Sequence, residues 1–155
     1  MASLGAMFAD YAFHHQTRGN KWCHRIGIPL IMFSLIGMLG RIPLLGLEWL
    51  LVDAALLLIG VVTVVYLRLD WRFGAIMLAA SIAMWALGRM VPLPLHVAMF
   101  AAGWVLQFVG HGVYEKRKPA FFTNLMHLLV GPLWIVNDAV HLIDETAPQP
   151  AGEAR

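Results

Sequence analysis

The sequence is poor in charge. Only 13% of its 155 residues are Asp, Glu, Lys or Arg, whereas 60% are apolar. An average soluble domain is roughly one quarter charged, and a soluble chain of this length has too little interior to bury so much apolar surface. These proportions exclude a water-soluble globule and a disordered chain, and they predict a small integral membrane protein.

Cysteine is almost absent as well. Cys23 stands alone, so no intramolecular disulfide can form and there is no CxxC metal or redox motif. The formal net charge is +2, and the 11 basic residues are scattered rather than gathered into a patch that would suit nucleic acid. The expected surroundings are therefore a bilayer, with no nucleic-acid partner.

The first residues predict a short amphipathic helix. Apolar side chains recur there at helical spacing: Leu4, Met7, Phe8 and Tyr11. His15 continues their stripe, whereas His14 lies off it, so His15 is the better candidate for an inward-facing side chain. We expect Ser3 to cap this helix, the helix to end near Gly19, and Asn20 to cap the next one.

Five further apolar runs predict membrane helices. They cover residues 26–40, 44–69, 73–88, 91–114 and 120–137, and a full crossing needs about 20 residues. The expected fold class is all-α: a membrane-embedded bundle of four to five hydrophobic helices plus the N-terminal amphipathic helix. We expect one catalytic domain over residues 1–143 and a polar, disordered tail over residues 144–155.

The basic residues predict the orientation of the bundle. If all five runs cross the membrane, eight of the 11 basic residues fall on the side of the N-terminus. The positive-inside rule then places the N-terminus in the cytoplasm. The short chain, without an endoplasmic-reticulum retention signal, indicates a bacterial inner membrane.

Seven histidines in so apolar a chain require an explanation. Ionisable side chains at membrane depth are costly and usually face the bundle interior or a wet cavity. In the predicted topology the following histidines lie on the cytoplasmic side: His14, His15, His24, His111 and His127. Gln107, His111 and Glu115 are four residues apart and share one helical face. Several imidazoles and a carboxylate on one side suit Fe(II), Zn(II) or Mn(II).

Other readings of these histidines stay open. A histidine in a membrane helix often only hydrogen-bonds to a neighbouring helix, which would fit a non-catalytic lipid-binding protein. A pair on facing helices, such as His111 and His127, would fit a haem-binding protein. The same ligands around zinc would fit a hydrolase.

The polar residues also form an ordered pattern. Tyr11, His15, Asn20, His24 and Gly27-Ile28-Pro29 are followed by Trp104, Gln107, Gly110-His111, Glu115, Lys116-Arg117-Lys118-Pro119 and Gly131-Pro132. This order resembles the 2-hydroxy fatty acid dioxygenase family of small membrane proteins, which has yeast and bacterial members. The resemblance covers nearly the whole chain. Asp138 stands where many members carry Glu, and it is left without a role, as are His14 and His141.

The resemblance implies an Fe(II)-dependent dioxygenase that cleaves a 2-hydroxy fatty acid by α-oxidation, with dioxygen as co-substrate and a product one carbon shorter. The implied metal ligands are His15, His24, His111 and Glu115. His127 lies where no family histidine is expected, and it is an additional candidate only. The implied catalytic residues are Glu115, Tyr11 and Asn20. The expected substrate-binding residues are Gln107 and three basic residues, Lys116, Arg117 and Lys118, whose positive charges would attract a carboxylate. The chain length of the substrate and the formation of a homo-oligomer are left open.

Overall fold

Helices form most of the described chain. The computed structural model describes residues 3–47, 50–117, 119 and 125–143. In chain order the elements are α1 (Leu4–Phe13), α2 (Arg18–Leu39), β1 (Pro43–Leu47), β2 (Leu50–Asp53), α3 (Ala54–Leu69), α4 (Trp71–Gly88), α5 (Leu93–Val109), a π-helical turn (Gly110–Glu115) and α6 (Met126–Val140). The all-α prediction is confirmed. The predicted tail at residues 144–155 lies outside the described residues, and the single catalytic domain stays a prediction.

The start of α1 is as predicted, whereas its end and the start of α2 are not. Oγ of Ser3 accepts a hydrogen bond from the amide of Ala6 at 3.3 Å and caps the helix. The helix ends at Phe13 rather than near Gly19. Thr17, not Asn20, caps α2, because its Oγ1 accepts a hydrogen bond from the amide of Asn20 in the first turn at 3.3 Å. The residues between the two helices form a bend that contains His15.

A β-hairpin interrupts the second apolar run. The sequence predicts one apolar segment over residues 44–69, but β1 and β2 pair antiparallel before α3 begins. Pro43 and Gly46 are poor helix formers, which favours an extended start. Asp53 then caps α3, since its Oδ1 accepts a hydrogen bond from the amide of Leu56 at 2.9 Å.

Among the described residues, three helices are long and apolar enough to cross a membrane by length and composition. They are Arg18–Leu39, Trp71–Gly88 and the continuous segment Leu93–Glu115, while α3 and α6 are apolar but shorter. Large apolar side chains point outward from α3, among them Leu57, Val61 and Val64. This outer surface suits a lipid environment, and the chain has the features of a membrane protein.

Helix α2 is the centre of the bundle and contacts α3, α4, α5 and α6. It crosses α5 at Gly27 and Gly103, where a Cβ added to either glycine would lie 3.0 Å from the carbonyl oxygen of the other. This close backbone approach is typical of packed membrane helices. Helix α6 is tied to α2 by Arg25, which donates two hydrogen bonds of 2.8 Å to the carboxylate of Asp138.

The apolar face of α1 packs against the other helices. Its buried residues Leu4, Phe8 and Tyr11 join one core cluster with Phe73 of α4 and Trp134 of α6. These side chains fill the space between α1, α4 and α6, and such close packing contributes to helix association in a membrane. This packing holds the bend after α1 against the bundle, which positions His15.

Candidate metal centre

Three buried histidines meet between the bend after α1, the early part of α2 and the π-helical turn. His15, His24 and His111 are each only 2–3% exposed. One ring nitrogen from each lies within 4.8 Å of the others, as a shared metal ion requires. The structure thus brings together three of the predicted ligands, which are far apart in sequence.

The hydrogen bonds of two of these rings determine which nitrogen carries the proton. Nδ1 of His15 donates to the carbonyl oxygen of Tyr11 at 2.6 Å, and Nδ1 of His24 donates to that of Asn20 at 3.0 Å. A carbonyl oxygen only accepts, so in each neutral ring Nε2 carries the lone pair. Both Nε2 atoms are therefore available as ligands.

These two Nε2 atoms are 3.1 Å apart. Facing lone pairs at this separation repel each other unless a cation lies between them. Metal–nitrogen bonds of 2.0–2.1 Å to neighbouring coordination positions would separate the two nitrogens by about 3.0–3.4 Å. The donor set and its spacing therefore fit a divalent transition metal.

The surroundings keep His15 neutral. Burial and the neighbouring His24 lower the pKa of His15 to about 2, so this ring carries no proton on Nε2 near neutral pH. The Tyr11 ring stacks on His15 with its centroid at 4.0 Å. Burial raises the pKa of Tyr11, so its phenol stays protonated.

His111 is placed by the π-helical turn. Such turns insert one residue into a helix and frequently occur at functional sites. Gly110 is required here, because a Cβ at this position would lie 2.4 Å from Oδ1 of Asn20. The turn ends at Lys116, whose φ of 54° is left-handed. The periodic pattern of the sequence predicted only a regular helix, although the two glycines beside His111 are a signal for an irregular turn.

Glu115 joins the end of this turn to the start of α2. Its Oε1 accepts hydrogen bonds from the amide of Thr17 at 2.7 Å and from Oγ1 of Thr17 at 3.0 Å. In the described part of the chain, the cluster of ligand atoms comprises the three histidines without Glu115. The sequence did not point to Thr17, which caps α2 and donates hydrogen bonds to the Glu115 carboxylate.

A cavity of about 310 Å³ opens beside the histidines. It follows α2 from His24 to Ile36, which is about 18 Å at the rise of an α-helix. Its walls are mainly aliphatic and aromatic, with Ile31, Leu35 and Ile59 among the lining residues. The metal centre is thus continuous with a long apolar space.

Gln107 is the polar side chain of α5 that lines this cavity. It is 5% exposed, and within the described residues its Nε2 has no hydrogen-bond partner. A buried amide without a partner costs free energy. Its position makes it available to a polar group bound in the cavity.

The other predicted site residues lie around this centre. Tyr11 and His127 line the cavity, and Asn20 is fully buried beside Gly110. Lys116 and Arg117 are exposed at the end of the π-helical turn, and Lys118 lies outside the described residues. His127 points Nε2 at Asp10, at 3.1 Å from Oδ2, a partner that the sequence analysis did not single out.

Comparisons with known proteins identify related sequences. A family model described as 2-hydroxy-palmitic acid dioxygenase Mpo1-like matches residues 1–142. The 2-hydroxy-palmitic acid dioxygenase MPO1 of Saccharomyces cerevisiae is 32% identical over 132 residues, which cover 84% of this chain and 75% of the yeast protein. No solved structure matches. The resemblance seen in the sequence is therefore confirmed: the chain belongs to the Mpo1-like family of 2-hydroxy-palmitic acid dioxygenases.

Proposed function

We propose that this protein is an Fe(II)-dependent dioxygenase that shortens a 2-hydroxy fatty acid by one carbon through α-oxidation. Family membership supports a dioxygenase-type enzyme with a fatty acid substrate. The observation that carries the proposal further is the buried cluster of three histidines at one end of a long apolar cavity. This arrangement combines a site for a metal with a space for an acyl chain.

His15, His24 and His111 would hold the metal. Three neutral imidazoles suit Fe(II) as well as other borderline divalent ions, and the lone pairs of His15 and His24 converge as described. When bound, Fe(II) supplies the redox chemistry with dioxygen that cleavage of a C1–C2 bond requires. The backbone carbonyls of Tyr11 and Asn20 fix the orientation of two of the rings, which pre-organises the ligands.

The remaining residues bind and orient the substrate. The free amide of Gln107 would donate a hydrogen bond to the carboxylate or the 2-hydroxyl group. The phenol of Tyr11, which stays protonated, would offer a second donor in the same cavity. Lys116 and Arg117, exposed near the metal centre, would attract the carboxylate to this end of the bundle.

The apolar walls would select long acyl chains and exclude water. Each buried methylene contributes about 0.8 kcal/mol, so affinity grows with chain length until the cavity is filled. The extent of the cavity along α2 supports a long-chain rather than a short hydroxy acid.

Glu115 and Asn20 are assigned to support rather than to direct contact with the metal. The Glu115 carboxylate holds Thr17 and with it the bend that carries His15. Asn20 does not line the cavity, and its buried side chain lies against the π-helical turn at Gly110. Both residues would keep His15 and His111 at a fixed separation.

Metal analysis of the detergent-purified protein tests the proposal. After anaerobic loading with Fe(II), we expect His15→Ala, His24→Ala and His111→Ala each to lose about one equivalent of iron and the oxygen uptake driven by 2-hydroxy fatty acids. His141→Gln, an exposed histidine outside the cluster, serves as the control and should keep both. An iron content equal to that of the wild type in all three alanine variants would contradict the site.

Three other outcomes would redirect the function. Tightly bound zinc without oxygen uptake would indicate a hydrolase that uses the same ligands. A Soret band would indicate haem. A stable protein that binds no metal after iron addition would indicate a non-catalytic lipid-binding protein.

We also propose that the metal centre faces the cytoplasm. The metal centre lies at the end of the bundle that carries Arg18, Lys116 and Arg117, whereas Arg41 binds the carbonyl of Val91 at the other end. The excess of basic residues at this end supports a cytoplasmic metal centre, and we place the protein in a bacterial inner membrane. In a Cys23→Ser background, an impermeant maleimide added to intact cells should label Ile42→Cys and not Val113→Cys. The reverse pattern would overturn the orientation.

A further inference from the structure

A second group of metal-binding side chains lies where α1 meets α6. Asp10 and His14 are four residues apart at the end of α1, and His127 lies in the first turn of α6. One ligand atom from each is within 4.8 Å of the others. None of the three belongs to the cluster of His15, His24 and His111.

The geometry of this group resembles that of the first. Nε2 of His127 is 3.1 Å from Oδ2 of Asp10, a separation that fits two ligands in neighbouring positions of one ion with bonds of about 2.0–2.2 Å. Nδ1 of His14 donates to the backbone carbonyl of Asp10 at 2.9 Å. The same nitrogen lies 3.7 Å from Oδ1 of Asp10, so a cation bound through Nδ1 would replace this hydrogen bond and leave the proton of the ring on Nε2.

We propose that Asp10, His14 and His127 form a second divalent-cation site that joins α1 to α6. Two imidazoles and one carboxylate are a common ligand set for Zn(II), Fe(II) and Mn(II). The side chain of Asp10 is 53% exposed, so an ion can enter from solvent and keep water in its open positions. His127 is largely buried and anchors the site to the bundle.

The second site adjoins the cavity through Tyr11. The Tyr11 ring lies between the two groups, stacked on His15 at 4.0 Å and facing His127 at 5.9 Å between centroids. A cation bound to Asp10 and His14 would fix the last turn of α1, and this turn carries Tyr11. Cation binding at this site would therefore restrict the movement of Tyr11, which forms part of the cavity wall.

A simple ion pair between Asp10 and His127 is the competing explanation. It would hold α1 and α6 together without binding metal, and it would respond to substitution through stability alone. Metal stoichiometry separates the two explanations, because only a cation site loses an equivalent of bound metal.

Zinc binding to the full chain tests the proposal. The detergent-purified protein is stripped with a chelator, and bound Zn(II) is measured by equilibrium dialysis. We expect two equivalents per chain in the wild type and in the control His141→Gln, and one in His127→Gln and Asp10→Asn. Zinc binding by both variants equal to that of the wild type would overturn the proposal.

A second background keeps the test independent of the histidine cluster. His15→Ala should still bind one equivalent of Zn(II), and zinc should raise its unfolding temperature. His15→Ala combined with His127→Gln should bind none and show no shift. If His15→Ala binds no zinc while it remains folded by circular dichroism, the second site does not exist. If instead the wild type and His15→Ala bind equally, the first site is the one that fails.

Discussion

Nε2 of His15 lies 3.1 Å from Nε2 of His24, while Nδ1 of each ring donates to a backbone carbonyl. The fold thus holds the lone pairs of these two Nε2 atoms against each other in a buried space. Such a contact is unfavourable for the metal-free protein and favourable for a complex. The free energy of metal binding is therefore coupled to the free energy of folding.

The first prediction concerns stability after metal removal. In a His127→Gln background, which isolates the cluster of three histidines, chelation should lower the unfolding temperature and added Fe(II) should restore it. At a free metal concentration 100 times the Kd, binding stabilises the folded state by about 2.7 kcal/mol. Addition of His24→Ala should abolish the response. Equal unfolding temperatures with and without metal before that substitution would contradict the coupling.

Glu115 gives a second prediction, because a positioning residue and a ligand respond differently to a conservative change. Glu115→Gln keeps an oxygen that can accept from Thr17, whereas Glu115→Ala removes it. We expect Glu115→Ala to weaken iron binding on the order of 10-fold, as is typical for residues that orient ligands, and Glu115→Gln to restore most of the affinity. Metal titration followed by elemental analysis gives the comparison. Loss of one full equivalent of iron in Glu115→Gln would identify Glu115 as a ligand.

Two glycines around His111 provide a matched pair for a third prediction. A Cβ at Gly110 would lie 2.4 Å from Oδ1 of Asn20, whereas one at Gly112 would meet nothing within 4 Å. Gly110→Ala should therefore destabilise the protein by about 1–3 kcal/mol through overpacking and lower its iron content. Gly112→Ala should leave both unchanged. Thermal unfolding in detergent, read beside iron content, tests the pair, and similar behaviour of the two variants would argue against the placement of the π-helical turn.

The sequence predicted the parts of the fold that follow from local patterning. Apolar composition predicted the membrane helices, and Ser3 was recognised as a cap because its hydroxyl precedes an apolar helical stripe. The start of α2 was missed because Thr17 and Asn20 are both good caps in the same short stretch. Pro43 and Gly46 carried the information for the hairpin, but the long apolar run around them favoured a helix.

The candidate site was predictable to the extent that its residues form a recognisable order along the chain. His15, His24 and His111 were selected in this way, and the structure brings them together. The proximity of Asp10 to His127 and of Thr17 to Glu115 arises from packing between distant helices, which no local pattern encodes. The π-helical turn depends on the close contact between Gly110 and Asn20, which are distant in sequence. The hydrophobic periodicity therefore could not predict it.

The far end of the cavity gives the last prediction. Leu35 lines the cavity about 16 Å along α2 from His24, so Leu35→Trp should shorten the space for an acyl chain. Each methylene that no longer fits costs about 0.8 kcal/mol, a roughly fourfold loss of kcat/KM per carbon for the longest substrates. Short 2-hydroxy acids should be unaffected. Leu57→Trp, at a side chain of α3 that is 56% exposed, is the control and should leave the profile unchanged. Oxygen uptake measured over a series of chain lengths gives the profile, and a uniform loss at all lengths in Leu35→Trp would mean that the acyl chain does not occupy this cavity.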